Sequence, residues 1–174
     1  MVLVTAEQRD ELFSTFKKDA FHLELQDEYR VSIEDGPYAK WRKGEPDDFA
    51  WFRPWLDQTH TLTAAGKSIR RVRIVTEPVS EYIRWELELT PMNHEAGEEI
   101  RWLPRQHIQD GFNFPASGND WWLFDGETLA VTHFRPDGRF EGAEIITDPT
   151  MVEHAVRVRD QLWSLAIPYN EYTS

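Results

Sequence analysis

The chain contains no cysteine. Disulfide bonds, thiolate nucleophiles and cysteine-based zinc sites are therefore excluded, as is usual for a protein of a reducing compartment. No apolar run approaches the roughly 18 residues that a membrane-spanning helix needs, and the apolar start Met1-Val2-Leu3-Val4 passes at once into polar sequence. We therefore expect a cytoplasmic protein without a signal peptide or a membrane anchor.

Local catalytic and metal-binding motifs are also missing. The sequence has no glycine-rich phosphate loop and no Gly-x-Ser-x-Gly elbow. None of its six histidines is closely paired with another, so we expect no metal site and no cofactor. The histidines are His22, His60, His94, His107, His133 and His154.

Basic residues are few. The chain has 19 lysines and arginines and 31 aspartates and glutamates, which gives a formal net charge of −12. This charge repels phosphate backbones and anionic lipid, so we expect no direct contact with nucleic acid or a membrane. It would attract a basic protein partner, although an acidic surplus also serves solubility alone.

Tryptophan, by contrast, is abundant, with eight residues spread along the chain. Most are expected in the core, but one group lies in a connecting segment that contains proline. Its aromatic residues either attach the segment to the core or form a surface for a partner. The candidate partner surface consists of Trp41, Trp51, Phe52 and Trp55.

The first 66 residues give mixed signals. A helix is predicted from Ala6, capped by Thr5, with a change to an extended course between residues 21 and 29. Residues 29–33 alternate as a short strand that Asp35-Gly36-Pro37 should stop. A loop with a short helix and then a helix over residues 56–65 follow.

The remainder indicates an α/β core. A strand (69–75), a helix (81–92) capped by Ser80, and a strand (99–103) have the length of a right-handed βαβ crossover, which makes the two strands parallel. We predict an α/β (α+β) fold with a mixed, partly parallel sheet flanked by helices. Residues 1–66 and 67–174 are expected to form one compact domain. The later predicted elements are strands 121–125, 128–134 and 140–146 and a helix over 149–165.

Two sets of polar residues are candidates for chemistry. Arg71 and Arg73 share one face of a strand, and with Arg101 on the neighbouring strand they could bind a carboxylate or phosphate. The alternative is salt bridges to nearby glutamates. Asp125 and His133 could meet across a hairpin and act as a general base.

Four segments, residues 70–78, 97–105, 121–125 and 162–168, resemble a family of actinobacterial proteins known as a domain of unknown function. The resemblance covers nearly the whole chain. It implies genes that lie beside those of small helix-turn-helix regulators, and hence a helix-turn-helix protein as a partner.

The segment around Phe124-Asp125-Gly126 is also remotely similar to phospholipase D-like domains. Placing the motif aspartate on Asp125 puts Gly118 at the histidine position and Asp120 at the lysine position, and residues 131–134 lack the Gly-Ser-x-Asn pattern. The resemblance implies a phospholipase D-like half-domain with an N-terminal helical extension that has lost its nucleophile and its phosphate-binding cation.

By analogy with phospholipase D-like domains that lack the catalytic pair, we predict a non-catalytic regulatory or interaction domain, with homodimer formation open. Two alternatives remain. One is a divergent phosphodiesterase or nuclease-like enzyme, or a toxin–antitoxin-like effector, that uses Asp125 and His133. The other is a sensor of small anions through Arg71, Arg73 and Arg101.

Overall fold

The computed structural model describes residues 1–172. They form a mixed eight-stranded sheet with helices on both faces. The strands are β1 (Leu3–Val4), β2 (Asp19–Glu24), β3 (Ser68–Val75), β4 (Glu98–Pro104), β5 (Trp121–Phe124), β6 (Thr128–Phe134), β7 (Phe140–Ile146) and β8 (Ile167–Pro168). The helices are α1 (Ala6–Asp10), α2 (Leu12–Thr15), α3 (Asp35–Arg42), α4 (Arg53–Ala64), α5 (Glu81–Ala96) and α6 (Pro149–Leu165).

The strand order is β1-β7-β6-β5-β2-β3-β4-β8. The central strands β2, β3 and β4 are parallel, and the other pairings are antiparallel. This arrangement confirms the predicted mixed α/β fold. The N-terminal segment supplies the central strand β2, so the chain before residue 66 is part of the sheet itself.

The two faces of the sheet are packed differently. On one face, α6 buries Val152, Ala155, Val158 and Leu162 against apolar side chains of the strands. On the other face, α2 and α4 cover one end of the sheet and α5 covers the other, in two separate apolar clusters. Polar side chains of β2 and β3, namely His22, Glu24, Arg71 and Arg73, lie on this second face.

The βαβ unit forms as its sequence predicts. The Ser80 hydroxyl accepts from the amide of Ile83 and so caps α5, and β3 and β4 are parallel. Helix α5 ends at Gly97, whose φ of 98° is the left-handed conformation common after a helix. The hairpins of β5 to β7 and the Asp148-capped α6 also match their predicted ranges.

The prediction for residues 29–37 is wrong. Residues 29–33 contain one isolated bridge, from Arg30 to Arg139, in place of a strand. Asp35-Gly36-Pro37 does not stop an element but begins α3. Proline is tolerated there because the amides of a helix's first turn have no intrahelical partner.

None of the helices in residues 1–172 is long and apolar enough to span a membrane.

Candidate functional site

A cavity of about 550 Å³ lies on the sheet face that α4 and α5 cover. Its floor is formed by side chains of β2, β3, β5 and β6, and its walls by α1, α2, α5, the segment 29–34 and the start of α4. We call this cavity the charged cleft. The ionisable side chains that line it are Arg9, Asp10, His22, Glu24, Tyr29, Glu34, Arg71, Arg73, Tyr82, Glu86 and Asp120.

Buried ion pairs cross the floor of the charged cleft. Glu24, on β2, accepts from Arg71 at 2.9 Å and also from Arg73. The other terminal nitrogen of Arg73 donates to Glu86 at 2.7 Å. Because Arg73, Glu24 and Glu86 are all buried, these contacts are charge-assisted hydrogen bonds in a medium where water screens little.

A third carboxylate, Glu98 at the start of β4, completes the ion-pair network. Arg71 donates to it at 2.8 Å, and its other oxygen accepts from Asn93 at 2.7 Å and from the Trp55 indole at 3.0 Å. Two guanidinium groups therefore face three carboxylates, Glu24, Glu86 and Glu98. Burial alone would lower the pKa of Arg71 and Arg73, but attraction to the carboxylates outweighs it and raises both values, so both groups are charged and paired.

His22 lies beside this network without adding positive charge. Its ring stacks on Trp122 with the centroids 4.2 Å apart. Burial, and then repulsion from Arg71 and Arg73, holds the pKa of His22 well below its usual range. The imidazole is therefore neutral at pH 7.

Asp120 forms a second buried acidic position. Its carboxyl accepts from the Tyr29 hydroxyl at 2.5 Å and from the amide of Leu25 at 3.0 Å. Burial raises the pKa of Asp120 from its ordinary 3.8 to about 7, with a further contribution from Glu24. The group therefore changes charge near neutral pH.

Glu34 is the acidic position on the segment that forms the wall. The Tyr82 hydroxyl donates to one of its oxygens at 2.7 Å. Burial, and then repulsion from Glu86, raises the pKa of Glu34 to about 7. The charged cleft thus carries an excess of carboxyl groups even after every ion pair has formed.

The three candidate arginines do not share a site. Arg71 and Arg73 line the charged cleft, but Arg101 is the register partner of Val72 and therefore lies on the opposite face of the sheet. There it stacks on Trp163, with its guanidinium carbon 4.1 Å from the ring centroid, and donates to the carbonyl of Trp163. The structure favours the salt-bridge interpretation of Arg71 and Arg73.

Asp125 and His133 also lie apart. Asp125 follows β5 at the turn of the hairpin, while His133 is near the far end of β6. The Asp125 carboxylate accepts from three backbone amides, those of residues 17–19, which lowers its pKa. His133 contacts Glu144 at 3.3 Å. The Asp125 carboxylate therefore connects the start of β2 to the β5–β6 hairpin by hydrogen bonds. The predicted general-base pair of Asp125 and His133 does not form.

The predicted aromatic surface is half-buried. Trp41, Trp51 and Phe52 pack with the cluster under α5, where Trp51 stacks on Trp85 at 5.6 Å. Trp55 packs on Phe13 at 5.4 Å. Trp51, Phe52 and Trp55 line the charged cleft, whereas Trp41 lies outside its lining. The segment is thus attached to the core and also forms a wall of the cleft.

Sequence reasoning named Glu86 and Glu98 among the possible salt-bridge partners of the arginines but missed three other residues of the cleft, Glu24, His22 and Glu34. A signal for two of them is present, because His22 and Glu24 alternate with the apolar Phe21, Leu23 and Leu25. A polar residue at every second position of an otherwise apolar strand indicates a polar site on one face. Glu34 has no such signal, since it lies in irregular sequence.

No group of three potential metal ligands is found in the part of the chain that the structure describes. A second depression, of about 570 Å³, lies along α6. Among its lining residues Asp148, Arg157 and Gln161 are exposed to solvent, and none is a buried charged group. The charged cleft is therefore the candidate site.

A family model described as "Domain of unknown function (DUF6879)" matches residues 7–174. No curated protein sequence gives a significant match. Among solved structures, the chain is similar to NucT from Helicobacter pylori, with 9% identity, a TM-score of 0.54 and 96% of each chain covered.

It is also similar to a phosphatidylserine synthase from Haemophilus influenzae, with 14% identity and a TM-score of 0.50. That match covers 95% of this chain and 38% of the synthase. At these identities the two likenesses show the fold alone, and they confirm the predicted phospholipase D-like architecture.

Proposed function

Since the chain belongs to the DUF6879 family, whose description names no activity, we propose its function from the charged cleft. The protein is a non-catalytic regulatory domain that binds a basic protein partner. The resemblance to actinobacterial proteins encoded beside helix-turn-helix regulators gives the class of that partner. Because such a regulator acts on DNA, the proposed compartment is the cytoplasm.

The observation that supports this function most strongly is the charge of the cleft. By the resemblance to phospholipase D-like domains, Asp120 stands at the position of the phosphate-binding lysine, and it lines the cleft together with Thr132. Arg71 and Arg73 are already neutralised by three carboxylates. Phosphoryl transfer needs a nucleophile and free positive charge at the phosphate oxygens. A basic partner, by contrast, is attracted by this cleft.

Exposed apolar side chains at the rim of the cleft are suited to a protein contact. Val31 and Ile33 line the cleft, and their exposed fractions are 41% and 58%. Apolar anchors beside an acidic recess provide affinity, while complementary charge accelerates association and fixes orientation. A regulator that uses one basic surface for DNA and for this domain would bind only one of them at a time.

The test is a binding measurement between this protein and a helix-turn-helix regulator, which the resemblance places in a neighbouring gene, by size-exclusion chromatography with light scattering and by calorimetry. We expect a stoichiometric complex that weakens with salt and is displaced by DNA. Ile33→Ser should weaken the complex about tenfold, as for an interface side chain worth roughly 1–2 kcal/mol. The matched control is Leu165→Ser, because Leu165 is 50% exposed and lies on the helix that covers the other face of the sheet.

A phosphodiesterase assay with bis(p-nitrophenyl) phosphate runs beside the binding test. We expect no turnover above the uncatalysed rate. Turnover that disappears in a folded His133→Ala variant would overturn the proposal in favour of an enzyme, and so would the absence of any complex with the regulator.

A further inference from the structure

In the described part of the chain, two carboxylates of the charged cleft each have one oxygen that accepts no hydrogen bond. Glu34 accepts from Tyr82 through Oε2, and Glu86 accepts from Arg73 through Oε2. Within residues 1–172 no donor makes a hydrogen bond to Oε1 of either side chain. Both side chains line the same cavity, and Tyr82, which donates to Glu34, lies one helical turn from Glu86 on α5, so the two carboxyl groups are neighbours.

The charges around these two carboxylates favour a cation. Arg73 is shared between Glu24 and Glu86, so it neutralises neither fully. Repulsion from Glu86 contributes to the raised pKa of Glu34. A positive group between Glu34 and Glu86 would relieve that repulsion and satisfy their free oxygens.

Aromatic rings complete the surroundings. Tyr29, Trp51 and Phe52 line the cavity, and Tyr82 packs against Tyr29 with the centroids 6.0 Å apart. The faces of such rings attract organic cations, most strongly where water is excluded. A volume of about 550 Å³ is within the range of small-molecule sites.

We propose that the charged cleft binds an organic cation, a guanidinium or an alkylammonium group, between Glu34 and Glu86. This inference rests on the proposed function and specifies the chemistry of its site. The same group can arrive as a free small molecule or as an arginine or lysine side chain of the partner. An inorganic divalent ion is a poor match, since the described residues include no group of three metal ligands.

The experiment is isothermal titration of the full chain with probes of one shape and different charge. The cationic probes are n-butylguanidinium and n-butylammonium, and the controls are neutral n-butylurea and inorganic phosphate. We expect binding of the cations alone. The affinity should increase up to about tenfold between pH 6 and pH 8, because the cation binds the ionised form of Glu34.

Glu34→Gln tests the site with a neutral side chain of the same shape. We expect it to weaken cation binding about tenfold or more, as for the loss of a charge-assisted hydrogen bond. Glu153→Gln is the matched control, since Glu153 is exposed on α6 at the opposite face of the sheet, and it should bind as the wild type does. Equal binding by Glu34→Gln and wild type would overturn the inference, even if the regulator still binds.

The experiment also distinguishes the two sources of the cation, a free small molecule and a side chain of the partner. Saturation by n-butylguanidinium without any regulator complex supports a free ligand and refutes the proposed partner. Binding of an arginine-containing peptide from the regulator, weakened by Glu34→Gln, supports the side chain of the partner. If neither the probes nor the peptide bind the wild type, the inference is refuted.

Discussion

Replacement of Asp120 by asparagine should change the pH dependence of stability. Asp120 is 2% exposed, and burial raises its pKa in the folded protein from 3.8 to about 7. Each tenfold change in proton affinity corresponds to about 1.4 kcal/mol, so this rise corresponds to about 4 kcal/mol.

The sign follows from the protons that each state binds. Between pH 4 and pH 7 the folded protein keeps the Asp120 proton and the unfolded chain has lost it. The free energy of unfolding therefore decreases as the pH rises through this window, by up to about 1.4 kcal/mol per pH unit, and the loss is complete above the folded pKa. An asparagine side chain is neutral at every pH, so Asp120→Asn should show no such loss.

The replacement also preserves the local contacts. The asparagine oxygen can accept from the amide of Leu25, and its NH₂ group can donate to the Tyr29 oxygen as a protonated carboxyl would. We expect Asp120→Asn to match the wild type near pH 4 and to exceed it by up to about 4 kcal/mol near pH 8.

Urea unfolding between pH 4 and pH 9 measures this difference, with unchanged m values as the sign of an unchanged unfolded state. Asp110→Asn is the control, since Asp110 is exposed and its replacement should shift stability by less than about 0.5 kcal/mol at any pH. A stability difference between Asp120→Asn and wild type that is constant or decreases with pH would refute the reasoning.

Four further substitutions test the ion-pair network and the packing, each by urea unfolding. Glu24→Gln should cost about 1–3 kcal/mol because it weakens charge-assisted hydrogen bonds to Arg71 and Arg73, which keep Glu98 and Glu86 as partners, and a cost below about 0.5 kcal/mol would contradict the ion-pair network. Gly97→Ala should cost more than about 2 kcal/mol, since φ is 98° and the new Cβ would collide with the Thr63 hydroxyl. Leu162→Ala should cost about 2–5 kcal/mol and Leu165→Ala less than about 0.5, because Leu162 is fully buried and Leu165 is 50% exposed.

The fold from residue 68 onward could be predicted because its signals are local. Ser80 caps α5, Gly97 ends it and Asp148 caps α6, and each signal depends on a few neighbouring residues. The N-terminal part was harder to predict. The apolar pattern of residues 12–25 fits a helix at first, yet the chain leaves the helix at Phe16 because its extended form completes the centre of the sheet between β3 and β5.

The candidate site could be predicted only in part. The alternation of Arg71 and Arg73 correctly places both on one face of β3. Their partners Glu24, Glu86 and Glu98 come from β2, α5 and β4, so their convergence depends on the order of the strands. Spacing within one segment contains no such information.

The ion-pair network itself argues for a function. Folding removes hydration water from the two arginines and three glutamates of this network. Well-packed apolar residues at the same positions would often leave the stability of the protein unchanged or increase it. Departures from the rules of core packing are expected at functional sites. The lining of the cleft contains five acidic and three basic side chains, so the occupant that we propose for it is a positive group.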